Sequence, residues 1–228
     1  MHYDNTINTL VVGKDDGSVT LLKIAEELNF VKYDEALTYK VHTARIMGVW
    51  IDPLTEYVYS VSEDTKFKVH DANKNFTVGE LFVGSAKHTG LQVDKENKRA
   101  FISNRDGQVF IYDINQKKPV LSHSIQAHSK GSAIRGLYYD PQRSYLFTVN
   151  HSDGAIGIFE IGKPGKEKFT SHTANFTGRK GSRVGVWSTN RYEFYSGDED
   201  GTVTFFDAKK IAPIYAMKAH SGGICKLQ

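Results

Sequence analysis

Nine histidines stand among many serines, threonines and aspartates in this chain, and together these types could supply a general base, a nucleophile and an orienting carboxylate. A reaction centre, however, requires one privileged cleft. Here Asp64, Asp106, Asp153 and Asp200, with Asp16 before them, return at regular intervals, and a His and a Ser or Thr return in matching places. A polar set that repeats in every module reads as a hydrogen-bonded network satisfying buried groups, so no catalytic residue is expected. Metal ligation is not expected either, because His70 with Asp71, and His151 to Asp153, lack converging ligand spacing. The single cysteine, Cys225, excludes a disulfide framework and multi-thiolate zinc sites. GKPGKEK from Gly162 and GRKGSR from Gly178 lack the spacing of a phosphate-cradling loop and open no helix, so no nucleotide or other cofactor is expected. Ser182 in the second segment has the look of a kinase acceptor, and Asn75, Asn150 and Asn175 stand in glycosylation-type triplets. We read the Ser182 segment as an ordinary solvated loop and, with no secretory signal in view, the three Asn triplets as unused acceptors.

The elements that position these residues follow from a repeat. DGSVTLLK, DTKFKVHD, DGQVFIYD, DGAIGIFE and DGTVTFFD begin at Asp16, Asp64, Asp106, Asp153 and Asp200, which are 48, 42, 47 and 47 residues apart. Each unit follows an alternating apolar run (NTLVVGK, EYVYSVSE, KRAFISNR, SYLFTVNH, YEFYSGDE), so run and unit form two strands around a tight turn. Asp-Gly supplies the positive φ of that turn in four copies, and Asp64-Thr65 predicts a different turn type in the second. A further strand precedes the pair in copies two to five, and three of these end in an acid that starts the next turn: Asp52-Pro53, Asp94 and Asp140-Pro141. Another segment follows each pair, completing four strands per unit. KIAEELNFVKYDEAL reads as an irregular loop with one helical turn. The chain is thus an all-β repeat array over residues 1–228, taken as one domain.

Composition agrees. With 39% hydrophobic and 24% charged residues the chain is of ordinary globular type. Twenty-nine basic against 26 acidic residues give nucleic-acid binding no support. No run approaches the ~20 apolar residues of a membrane helix. MHYDNTINTL resembles neither a signal nor a transit peptide, which points to the cytoplasm.

These units resemble WD-repeat β-propellers over nearly the whole chain. The naming Trp-Asp pair appears as Leu22-Lys23, His70-Asp71, Tyr112-Asp113, Phe159-Glu160 and Phe206-Asp207, so the aromatic is degenerate. The resemblance implies a structural network of His42, Ser62 (or Ser60) and Asp64 in one blade. In another it implies His128, Thr148 and Asp153, with Phe159 in the Trp position. His220 matches the same His position well, and His172 and His88 less well. GLQVDKENKRAFISNRDGQVFIYDI is similar to the propeller of WD-repeat and FYVE-domain proteins, whose zinc-ligating cysteines have no counterpart here.

Counting strands gives five blades. Either Gly223–Gln228 pairs beside Thr9–Gly13 and closes a ring, or the chain is part of a seven-bladed ring whose open edges would favour dimers. The family's geometry places Arg45, Lys87, His88, Lys130, Phe176, Arg179, Lys180 and Arg183 at one end, with Glu63, Asp198 and Glu199 among them. That end is the expected docking site for protein partners, acidic or phosphorylated peptides in particular. The resulting expectation is a non-catalytic scaffold. The alternative is an endosomal or membrane-trafficking adaptor recruited through a partner or phosphoinositides.

Overall fold

The computed structural model describes residues 1–27, 30–152, 154–162, 170–171, 184–188, 190–207, 209–210, 212–225 and 227. Twenty strands are found among them, in five antiparallel four-stranded sheets. The first holds β1 (His2–Asp4), β2 (Thr9–Gly13), β3 (Ser18–Glu27) and β4 (Phe30–Lys40). The second holds β5 (Ile46–Ile51), β6 (Tyr57–Ser62), β7 (Lys66–Asp71) and β8 (Phe76–Phe82). Next come β9 (His88–Asp94), β10 (Arg99–Asn104), β11 (Gln108–Asp113) and β12 (Val120–Gln126). The fourth sheet holds β13 (Ile134–Asp140), β14 (Tyr145–Asn150), β15 (Ile156–Glu160) and β16 (Thr170–Ser171). The fifth holds β17 (Val184–Ser188), β18 (Glu193–Gly197), β19 (Thr202–Asp207) and β20 (Ala212–Lys218). In every sheet the strands lie in chain order, so each sheet is a meander built from local hairpins. No helix long and apolar enough to cross a membrane occurs among the described residues.

Two compact units are present. One comprises Met1–Val93, Arg99–Ile102 and Phe110–His123, the other Asp94–Lys98, Ser103–Val109 and Ser124–Gln228. In the first, Tyr59, Val61, Phe67 and Val69 bury one face of the second sheet against Ala100, Ile102, Phe110 and Tyr112. In the second, Phe147, Val149, Ile156, Ile158, Phe194 and Phe206 form the apolar core. Alternation along each strand sends successive side chains to opposite faces of its sheet, and the second strands β6, β10 and β14 are buried on both faces over nearly their whole length.

Turn chemistry fixes the register. The acid ending a first strand accepts backbone N–H groups from the turn it opens: Thr6 to Asp4, Leu54 to Asp52, Asn97 to Asp94 and Gln142 to Asp140. Asn8, Glu56, Lys98, Ser144 and Tyr192, each just ahead of a second strand, all have φ between 48° and 60°. The Asp-Gly turns put Gly17, Gly107 and Gly201 at φ 87°, 73° and 85°. At each of the three, an added Cβ would meet a backbone carbonyl of the following loop within 3 Å.

Three expectations change here. First, β1 fills the innermost place of the first sheet, with His2, Tyr3 and Asp4 opposite Val11, Leu10 and Thr9. That edge of β2 is therefore occupied, and the C-terminal segment does not complete this sheet. Second, the described residues of this segment, 23–27 and 30–37, are strand and not an irregular loop with a helical turn. β3 and β4 continue as one long hairpin down to Glu27 opposite Phe30, because cross-strand pairing satisfies more backbone groups than a single turn of helix. Third, Thr65 adopts φ 65°, so the second turn keeps the conformation of its glycine counterparts. A β-branched residue is strained there. Thr65→Gly is accordingly expected to raise stability by about 1 kcal/mol in equilibrium urea unfolding, and an unchanged or lowered midpoint would contradict this.

Candidate functional site

His42 sits where the first sheet hands over to the second. Its backbone N–H donates to the Gly17 carbonyl, at 2.9 Å, which fixes the imidazole over the second sheet. Nε2 lies 2.8 Å from Ser60 Oγ, and Nδ1 lies 2.9 Å and 3.1 Å from the two Asp64 oxygens. Asp64 also accepts the N–H groups of Thr43 at 3.1 Å and of Lys66 at 3.0 Å. Ser62 plays another part, donating to the Ala44 carbonyl and accepting the Asp64 N–H. Of the two serines, Ser60 is the member of the set.

Ser60, His42 and Asp64 thus have the contacts of a nucleophile, base and orienting acid. Burial decides against chemistry: Ser60 is 0% and His42 1% exposed, so no substrate atom reaches the hydroxyl. Burial lowers the His42 pKa from its ordinary value of 6.5, against the opposing pull of the Asp64 carboxylate. For Asp64, burial alone would raise the pKa. The charge of His42, the Thr43 and Lys66 N–H groups and the His42 hydrogen bond outweigh it and hold the carboxyl below its usual range.

The second set repeats the first. His128 donates its backbone N–H to the Gly107 carbonyl, and its Nε2 lies 2.8 Å from Thr148 Oγ1. Asp153 lies outside the described residues. Gly157 stands opposite Thr148, and an added Cβ would fall 2.4 Å from Thr148 Oγ1 and 2.7 Å from the Phe159 ring. Phe159, 2% exposed, therefore takes the place of the expected Trp by lying over a glycine. The third sheet uses different chemistry. Asn104 Oδ1 accepts the N–H groups of Asp106 and Gln108, and Gly84 occupies the position of His42. At the fifth turn Asp200 accepts the Thr202 N–H at 2.9 Å.

Burial gives a pH dependence. His42, His70 and His88 all have lowered pKa values, in each case chiefly through burial. The unfolded chain therefore binds more protons than the folded one as pH falls below 6.5, and stability falls with it. Unfolding free energy is expected to be constant above neutrality and to decline from about pH 6.5 toward 5. A flat profile over that interval would contradict the burial of these rings.

The expected partner-binding residues divide. Arg45 is exposed, but its guanidinium binds Asp15, with Nε 2.8 Å from Oδ1. Lys87 Nζ lies 3.0 Å from Glu63 Oε2. These are one pattern: the residue before a first strand pairs with the acid before the preceding turn aspartate. At the third turn Arg105 stands at that acid position, and Lys130 is exposed in the following loop. His88 is 0% exposed, beginning β9 with Nε2 3.0 Å from the Val83 carbonyl. It therefore leaves the candidate surface, because its ring is spent on the backbone. Phe176, Arg179, Lys180, Arg183 and His172 lie outside the described residues. Asp15 was missed by sequence reasoning, although its place before Asp16 matches that of Glu63 before Asp64. Among the described residues no group of three His, Cys, Asp or Glu is placed to hold a metal ion.

Comparison with known proteins agrees on architecture. The family described as "Lactonase, 7-bladed beta-propeller" matches residues 56–206. WD repeat and FYVE domain-containing protein 2 of Mus musculus is 28% identical over 162 residues, 71% of this chain and 39% of that protein. Histone acetyltransferase type B subunit 2 of Kluyveromyces lactis is 27% identical over 121 residues, 52% of this chain and 28% of that protein. The match thus spans about two-fifths of the mouse relative. Among solved structures, Saccharomyces cerevisiae Sqt1 superposes with a TM-score of 0.77 at 13% identity, covering 96% of this chain and 61% of that one.

Proposed function

We propose that this chain, which belongs to the family described as "Lactonase, 7-bladed beta-propeller" and has WD-repeat proteins among its relatives, is a non-catalytic scaffold that docks protein partners on its loops. One observation carries the reading. The polar set with reaction-like geometry is sealed inside the fold, while the charged side chains ahead of the first strands are exposed. Rigid sheets that present exposed loops are suited to recognition. Arg45 and Lys87 already hold carboxylates, and the exposed Arg45–Asp15 pair contributes only about 0–1 kcal/mol. An acidic or phosphorylated peptide therefore displaces Asp15 from Arg45 at little cost, with Lys87 beside it on the same face. The test is an array of acidic and phosphorylated peptides probed with the wild-type chain and with Arg45→Glu/Lys87→Glu. Loss of binding in the variant supports this face, and an unchanged binding pattern removes it.

The family description supplies the second reading, lactone hydrolysis. It calls for an open site, and Ser60 is not one. Hydrolysis of a simple aliphatic lactone by the purified chain, above the buffer rate, would replace the scaffold reading. The similarity to FYVE-domain proteins supports membrane recruitment only through the propeller. Sedimentation with phosphoinositide vesicles at low salt separates that role from protein docking.

A further inference from the structure

The fifth sheet turns an aromatic face outward. Tyr195, Phe205 and Tyr215 stand opposite one another across β18, β19 and β20, with ring centroids 4.9 Å and 5.9 Å apart. Val203 and Met217 extend the face. Tyr215 is 60% and Met217 40% exposed, and Tyr195, Phe205 and Val203 are only half-buried. In the second sheet Tyr59, Val69 and Phe67, the counterparts of Tyr195, Phe205 and Val203, are none more than 4% exposed, and Leu81, the counterpart of Met217, packs against the same cluster, because a neighbouring sheet covers them.

The segment after β20 repeats a handover as well. Ala219 and His220 donate their N–H groups to the Gly201 carbonyl, as Val41 and His42 do to Gly17. Ile224 donates to the Asp198 carbonyl and packs over Gly197, as Ile46 does to Lys14 and over Gly13. His220 therefore occupies the position of His42, yet it is exposed.

The first sheet shows the opposite half. Tyr3, Leu10 and Leu22 face one another across β1, β2 and β3. Tyr3 is 47% exposed and Leu10 half-buried, whereas Val58, the counterpart of Leu10, is 1% exposed. Asp16 is the counterpart of Asp64, but its side chain is 62% exposed against 6%. Exposed apolar faces of this kind mark association surfaces.

We infer that these faces are two halves of one interface, and that chains associate head to tail, with the first sheet of a second copy stacked on the fifth sheet of the first. His220 then meets Asp16 of the second copy as His42 meets Asp64, and the two apolar ladders cover each other. Val12 stands where Ser60 stands, so His220 gains one side-chain hydrogen bond there rather than two. Such an interface is heterologous, so association is not limited to pairs.

Sedimentation velocity of the full chain over a wide concentration range tests this, with Tyr3→Lys and Tyr215→Lys as variants of the two faces. Both positions are exposed, so native circular dichroism should be retained. The wild type is expected to form dimers and larger species as concentration rises, and each variant to remain monomeric. An equimolar mixture of the variants still has one intact face of each kind, and it should form a dimer and nothing larger. A wild type that is monomeric throughout, association indifferent to both substitutions, or a mixture that stays monomeric would each overturn the inference.

Discussion

His42→Ala is expected to lower the unfolding free energy by about 3–5 kcal/mol, a large share of the ~5–15 kcal/mol of a typical domain. The change strips the Asp64 carboxylate and the Ser60 hydroxyl of their common partner in a site from which water is excluded. It also leaves a void, because the imidazole is 1% exposed. The loss should shrink as pH falls below 6.5, where the unfolded chain takes up a proton on His42 that the buried ring resists and the wild type loses stability. Equilibrium urea unfolding at pH 7.5 and pH 5 checks both statements, and a loss under ~1 kcal/mol at the higher pH would show that the set does not hold the first two sheets.

Phe194→Ala should cost a similar ~3–5 kcal/mol for a different reason. Its ring is 1% exposed and lies parallel to Phe147 at 5.5 Å, with Tyr138 edge-on at 5.7 Å and Phe206 tilted at 6.4 Å. Gly185 lies beneath it, where an added Cβ would fall 2.2 Å from the ring, so the pocket is shaped to this side chain. Removing the ring forfeits its burial and opens a cavity between rings that cannot collapse far. Phe194→Leu should recover at least half of the loss in thermal unfolding. Equal losses in the two variants would mean that stacking geometry outweighs volume.

Much of this fold is legible because the repeat fixes the turns, and the turns fix the strands. The turn aspartates, four of them in Asp-Gly pairs, located five hairpins, and Asp52, Asp94 and Asp140 located three of the strands ahead of them. The same signal was present at the start of the chain and went unused: Asp4 precedes Thr9 by the five residues that separate Asp52 from Tyr57, Asp94 from Arg99 and Asp140 from Tyr145. KIAEE misled because its residues favour helix, whereas the strand it forms depends on cross-strand pairing with residues 30–34 of the same hairpin, which propensity does not show. The aspartate of the candidate set was readable from its turn. The serine was not, since Ser60 and Ser62 share a face and only the position of His42 selects between them. His88 failed as a surface residue because Gly84, not His88, holds the handover position. Pairing of Arg45 with Asp15 was likewise invisible, since the two are 30 residues apart and belong to different sheets.

Whether the His–Ser–Asp set is architecture is decided most directly by a double-mutant cycle on His42 and Asp64, followed by urea unfolding. The single losses are expected to be large and the double loss smaller than their sum by about 1–3 kcal/mol, since either substitution alone already breaks the shared contact. Additive, sub-kilocalorie losses in a chain that has meanwhile lost a hydrolytic activity would assign these residues to a reaction instead of to the fold.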